Sequence, residues 1–282
     1  MISLPIPLLD TSVETIFKEC VNRFESDESK KRLLTYSTAV TKYSQQFLER
    51  MPSEIGMIVF PRISKKETKE IKKVYTQKFA NQEEKSLREK YYNVIMANAP
   101  GRKCPICEIS ITTTLDHYLP KSKYPLLVVT PANLIPTCWN CNLKKGTFSS
   151  VEAEDMPLHP YFDDVSKIKW LDAKVSFNSG LIIEYINGCG SDVYEVMKKR
   201  IDIHLRVNQL KERYALLANG AIDGSKLYWK DIYFNSGKEQ LLLHFNEQKK
   251  SEESFDLNSW KSAMYRALTE QYNEVEMWIQ SL

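Results

Sequence analysis

Apolar residues recur every three or four positions along most of the chain, which predicts helices towards both ends and something different between them. Val13, Ile16, Phe17, Cys20, Val21 and Phe24 form the first stripe. Asp10-Thr11-Ser12, ahead of it, offers short polar side chains that can cap a helix start. Leu33, Leu34, Tyr36, Val40, Tyr43 and Phe47 predict a second helix over 28–51, followed by a Pro/Gly-containing connection at 52–64. A third, strongly charged helix is expected over 66–98. Its basic run either lies against DNA or a partner or is a solvated face with internal Lys–Glu pairs, and the alternating signs favour the second. Further on, 167–177 and 180–188 are rich in β-branched and aromatic residues and meet at Asn178-Ser179-Gly180, a hairpin pattern. Helical spacing returns from Ser191, first to about Asn219-Gly220, then over 225–249, and last over 256–282. In the last stretch Trp260, Met264, Leu268, Tyr272 and Val275 keep the step, a stripe that reads as core or partner interface.

The stretch 101–150 breaks this regularity. Pro120, Pro125, Pro131 and Pro136 cut it into extended pieces. It carries two Cys-x-x-Cys pairs, Cys104/Cys107 and Cys138/Cys141. Two short-spaced pairs suit a tetrahedral structural Zn²⁺, because each pair can grip the ion from one tight turn. Between them stand Asp116-His117 and Asn133, and Asn142 follows the second pair directly. Adjacent residues of an extended backbone point to opposite sides, so Asp116 and His117 serve one centre only if the chain bends there. Asn142 is expected to open a short helix beside the second cysteine pair.

The order Asp-His, Asn, Cys-x-x-Cys-Asn, in the context LDHYLPKSKYP and CNLKKGT, resembles the HNH (ββα-metal) nuclease signature in its zinc-supported form. The resemblance covers 101–150. It implies that Asp116 and Asn142 hold one catalytic divalent metal, that His117 is the general base, and that Asn133 fixes the loop carrying it. Asn142 stands where many members have His, which shifts the metal site towards harder oxygen ligands. The residues' own chemistry points the same way. A carboxylate and an amide oxygen suit Mg²⁺ or Mn²⁺ that keeps several waters, and an imidazole has an ordinary pKa suited to a base near neutral pH. Lys121, Lys123, Lys144 and Lys145 sit in the same stretch, with Lys144 or Lys145 the preferred contacts to nucleic-acid phosphates. A zinc-ribbon module without catalysis explains the four cysteines but not the Asp-His and Asn142 around them.

Composition narrows the setting. The 282 residues hold 39 basic and 36 acidic side chains, so nucleic-acid affinity must come from a local patch or a partner. Cys20 and Cys189 are left outside the zinc pairs, a usage that fits a reducing cytosol. The N-terminus has no basic region ahead of its apolar run, and no apolar run reaches membrane-spanning length; a cytoplasmic protein is expected. No P-loop, dinucleotide fingerprint or internal repeat is present. His159 is expected to be structural, and His204 and His244 are assigned no chemistry.

The expected architecture is α+β and predominantly helical. A zinc-stapled ββα-metal HNH module (101–150) lies in the chain between an N-terminal helical lobe (1–100) and a β-hairpin plus C-terminal helical lobe (151–282). This arrangement is similar to the HNH subunits of Septu-type bacterial anti-phage systems, which implies DNA as substrate and an ATPase as partner. RNA as substrate is left open by these residues. The alternative reading is a catalytically silent, zinc-stabilised adaptor for nucleic acid or a partner.

Overall fold

The computed structural model describes residues 1–282 except Ser179. It is α-rich, with two separate two-stranded antiparallel sheets. Two compact units follow one another in the chain, Met1–Asp164 and Val165–Leu282.

In the first unit, α1 (Val13–Asn22) starts where the sequence predicts. Ser12 caps it by accepting the Thr15 amide at 3.1 Å, and Ile16, Phe17, Cys20 and Val21 are buried. The helix predicted over 28–51 is broken into α2 (Asp27–Leu34) and α3 (Ser37–Arg50). At the break the Thr35 hydroxyl donates to Arg32 O and the Ser37 hydroxyl to Leu34 O. Such side-chain bonds compete with the helical ladder, which explains the interruption.

The third predicted helix is also divided. α4 (Lys65–Lys73) opens with a Ser64/Glu67 capping box and runs into a π-helical turn, Val74–Phe79. After a loop come α5 (Lys85–Leu87), a second π-helical turn at Arg88–Tyr92, and α6 (Asn93–Ala97). The wider turns bring Tyr75, Phe79, Tyr91 and Tyr92 into one aromatic layer, with Tyr75 stacked on Phe79 at 5.5 Å and Phe79 on Tyr91 at 6.3 Å.

The proline-broken stretch forms β1 (Thr114–His117) and β2 (Leu134–Thr137), paired antiparallel with Asp116 opposite Ile135 and His117 opposite Leu134. α7 (Trp139–Lys145) follows β2 and ends at Gly146, whose φ of 52° suits glycine. The short sheet does not make a core of its own. Leu115, Leu126, Val128 and Leu134 join the apolar cluster of α1, α3 and α4. Tyr118, Leu119, Leu127 and Ile135 join a second cluster with Phe47, Met51 and Tyr161. Burial against the N-terminal helices therefore supplies the apolar contact that so short a stretch lacks.

In the second unit, β3 (Leu171–Phe177) and β4 (Leu181–Asn187) form the expected hairpin, in register from Leu171↔Asn187 to Phe177↔Leu181. Of its predicted turn, Ser179 lies outside the described residues. α8 (Glu195–Val207), α9 (Leu210–Ser236), α10 (Lys238–Phe255), α11 (Trp260–Glu270) and α12 (Tyr272–Ser281) follow. α9 passes straight through Gly220 and Gly224. The chain turns instead at Gly237, whose φ is 92°. Buried Ile222 and Trp229 hold α9 together past the glycines, and packing outweighs the ~1 kcal/mol a helical glycine costs. Buried Arg266 binds Asp172 at 3.1 Å and Glu253 at 2.9 Å, tying α11 to the hairpin and to α10. Among the described residues no helix is long and apolar enough to cross a membrane.

Candidate metal centre and adjoining cavity

Cys104 and Cys107 sit on a tight turn closed by Cys104 N–H donating to Ser110 O and Glu108 N–H donating to Cys104 O. Cys138 is the N-cap of α7 and Cys141 lies in its first turn, so one short helix presents the second pair. All four thiols are buried, and their sulfurs lie within 4.8 Å of one another. Cys107 Sγ and Cys138 Sγ are 3.8 Å apart. A tetrahedral zinc with Zn–S bonds of ~2.3 Å requires sulfur–sulfur edges of about 3.8 Å. Four thiolates so close repel one another unless a cation shares their charge. The donor set, its spacing and its burial fit one structural zinc ion.

Asp116 and His117 end β1. Both are buried, yet both border one cavity of about 250 Å³ that Asn142 also lines. The imidazole Nε2 lies 2.9 Å from Val128 O, so Nε2 carries the proton and Nδ1 keeps its lone pair. The Tyr75 ring packs edge-on against the imidazole at 4.4 Å. Burial, reinforced by the nearby Lys121 charge, holds the His117 pKa down to about 3, so the ring is neutral.

Asp116 has a built-in counter-ion. Lys145 Nζ approaches its two carboxylate oxygens at 3.0 and 3.2 Å and donates to His117 O at 2.7 Å. Burial pushes the Asp116 carboxyl up and the Lys145 ammonium works against that. The pair joins the last turn of α7 to β1. Lys145→Met should lower stability by roughly 3–5 kcal/mol, because it leaves a buried carboxylate uncompensated. The additional change Asp116→Asn should restore much of the loss, and thermal melts of the single and double variants check this.

The remaining sequence-selected residues fall at different depths. Asn133 is fully buried, behind the cavity rather than in it. Its side chain accepts the Leu119 amide at 2.8 Å and donates to Leu119 O and Leu127 O, closing the loop that follows His117. Asn142 lies inside α7 instead of opening it. The helix starts earlier because the Cys138 sulfur itself caps it, accepting the Cys141 amide at 3.4 Å. Lys144 is exposed, whereas Lys145 turns inwards onto Asp116. His159 is buried among Phe47, Tyr118, Tyr161 and Phe162, its Nδ1 accepting the Tyr161 amide. The sequence reading did not select Lys72 and Tyr75, which line the cavity from α4 and its π-helical continuation. The signal was the basic run ending in Lys-Lys-Val-Tyr, whose alternating charges suggest a solvated face.

The fold and site define an α-rich protein whose four-cysteine cluster adjoins a buried Asp–His pair. Over 206 residues it is 31% identical to protein ea31 of Escherichia phage lambda, an alignment covering 66% of this chain and 69% of that protein. The chain belongs to the ea31 family. Over 80 residues it is 35% identical to the Septu protein PtuB of Bacillus thuringiensis, covering 27% of this chain and 31% of that one. No protein-family model and no solved structure matches the chain.

Proposed function

We propose that the protein is a metal-dependent HNH endonuclease that hydrolyses phosphodiester bonds in DNA, with residues 101–150 as its catalytic module. The observation that carries this reading is the state of His117. Its Nε2 is committed to Val128 O, and its free Nδ1 belongs to a residue on the same cavity as Asp116 and Asn142. A base needs an available lone pair and a fixed ring, and Nδ1 has both. Burial and the Lys121 charge hold its basicity below that of an ordinary imidazole in the free protein, and a bound phosphate anion would raise it. His117 Nδ1 takes the proton of a water as its oxygen attacks phosphorus; the P–O3′ bond breaks, the leaving O3′ takes a proton from solvent to become a 3′-hydroxyl, and a 5′-phosphate end results. Asn133 holds the loop behind the imidazole and limits its movement. Asp116 and Asn142 offer the oxygen ligands for one Mg²⁺ or Mn²⁺, which supplies positive charge to the phosphate and the leaving oxygen when bound. The zinc cluster fixes the start of α7 and with it Asn142. Likeness to a Septu protein supports a role as the nuclease effector of an anti-phage system, acting in the cytoplasm beside an ATPase partner.

One observation favours a second reading. Lys145 contacts both oxygens of Asp116 and so already supplies the charge a metal would bring. A silent, zinc-stabilised adaptor would keep such a pair. Plasmid cleavage separates the two. The endonuclease is expected to nick or linearise supercoiled DNA with Mg²⁺ or Mn²⁺, and to stop when these are withdrawn while zinc content stays unchanged. DNA binding without cleavage in either metal would support the adaptor.

A further inference from the structure

The cavity beside His117 carries more positive charge than its acidic side chain can neutralise. Lys72 and Lys121 line it together with one carboxylate, Asp116, which Lys145 pairs from behind the lining. Lys145 is taken up by that carboxylate, whereas among the described residues neither Lys72 nor Lys121 has a carboxylate within ion-pairing distance. Lys121 is instead held by an aromatic face, its ammonium 5.2 Å from the centre of the Tyr75 ring. That ring is itself fixed, edge-on to His117 at 4.4 Å, with its hydroxyl donating to Leu115 O at 3.3 Å. Lys72 lies one turn before Tyr75, on the same side of the helix. The π-helical turn at Val74–Phe79 shifts the residues that follow α4, as such turns often do where helices serve a site.

We propose that Lys72 and Lys121, the latter held by Tyr75, form a phosphate-binding subsite in this cavity, which takes a backbone phosphate of duplex DNA. Two unneutralised ammonium groups converging on one pocket are suited to a diester anion. Partial burial strengthens their pull because less water screens it. Lys121 already has its pKa lowered, first by burial and then by Lys72, so an arriving anion relieves a repulsion present in the free protein. The N-terminal helices would thereby contribute to DNA binding as well as to the core. The subsite rests on the nuclease reading only for the choice of DNA as the polyanion.

The test measures binding of a short fluorescent DNA duplex by anisotropy across a salt series, using zinc-loaded full-length protein carrying His117→Gln so that cleavage does not intervene. Lys72→Gln and Lys121→Gln are each expected to weaken binding and to reduce the slope of log K against log salt by about 0.9, the value for one lost phosphate contact. Lys123→Gln is the control, an exposed lysine on the same loop that does not line the cavity. Lysine variants that bind like the control would overturn the subsite, as would absence of duplex binding by the parent protein. Reduced slopes, together with no plasmid cleavage by the wild-type protein in Mg²⁺ or Mn²⁺, would keep the subsite and reject the nuclease.

Discussion

Cys138→Ser is expected to empty the zinc site and unfold the stretch around it. The residue has two separable tasks. Its thiolate is one of four sulfurs in the cluster, and its side chain caps α7 by accepting the Cys141 amide. Serine is among the best N-caps, so the helix start is preserved or improved. What it cannot supply is a soft thiolate ligand. Structural zinc contributes on the order of 10–16 kcal/mol of apparent binding energy in small modules, comparable with the whole stability of an ordinary domain, ~5–15 kcal/mol. Around the cluster, β1 and β2 are only four residues each and α7 only seven, too short to persist on backbone hydrogen bonds alone. Metal analysis should find one zinc per wild-type chain and none in the variant. Hydrogen exchange should show lost protection across β1, β2 and α7. Wild-type zinc content in Cys138→Ser would refute the four-cysteine assignment.

How much of this was legible in the sequence depends on the range of the physics involved. Cysteine spacing is a local property, and two Cys-x-x-Cys turns were enough to foresee a four-sulfur site that the fold does assemble. Helix starts were legible where a short polar side chain caps the first turn, as at Ser12. Long-range packing was not. Gly220 read as a stop, but buried Ile222 and Trp229 carry α9 through it, and the turn falls at Gly237. Lys144 and Lys145 were equivalent as two basic residues beside a cysteine pair. About 100° of helical rotation separates neighbours, and it leaves one in solvent and turns the other onto Asp116. Lys72 and Tyr75 were hidden for the same reason. Their place depends on a π-helical turn and on α4 bordering the same cavity as β1, and neither leaves a mark in charge pattern or period.

His117→Gln is expected to abolish cleavage while leaving zinc content, folding and DNA binding near wild type. Glutamine is the more informative replacement because its amide can still donate towards Val128 O, the bond that His117 Nε2 makes. It has no basic nitrogen for the attacking water. Alanine would also leave that buried carbonyl unpaired and a void against Tyr75, at a cost of roughly 2–5 kcal/mol, so lost activity could merely report lost structure. Removing a general base costs typically ~10²–10⁴-fold in rate, which a plasmid time course over the metal series resolves. Cleavage by His117→Gln at the wild-type rate would move the base elsewhere in the cavity. Few groups there could take over. The Lys145 ammonium occupies both oxygens of Asp116, Asn142 has no basic atom, and Lys72 and Lys121 as ammonium ions have no lone pair to offer. Among the described residues that line the cavity, His117 is the one whose free lone pair and fixed orientation are both accounted for by contacts seen in the fold.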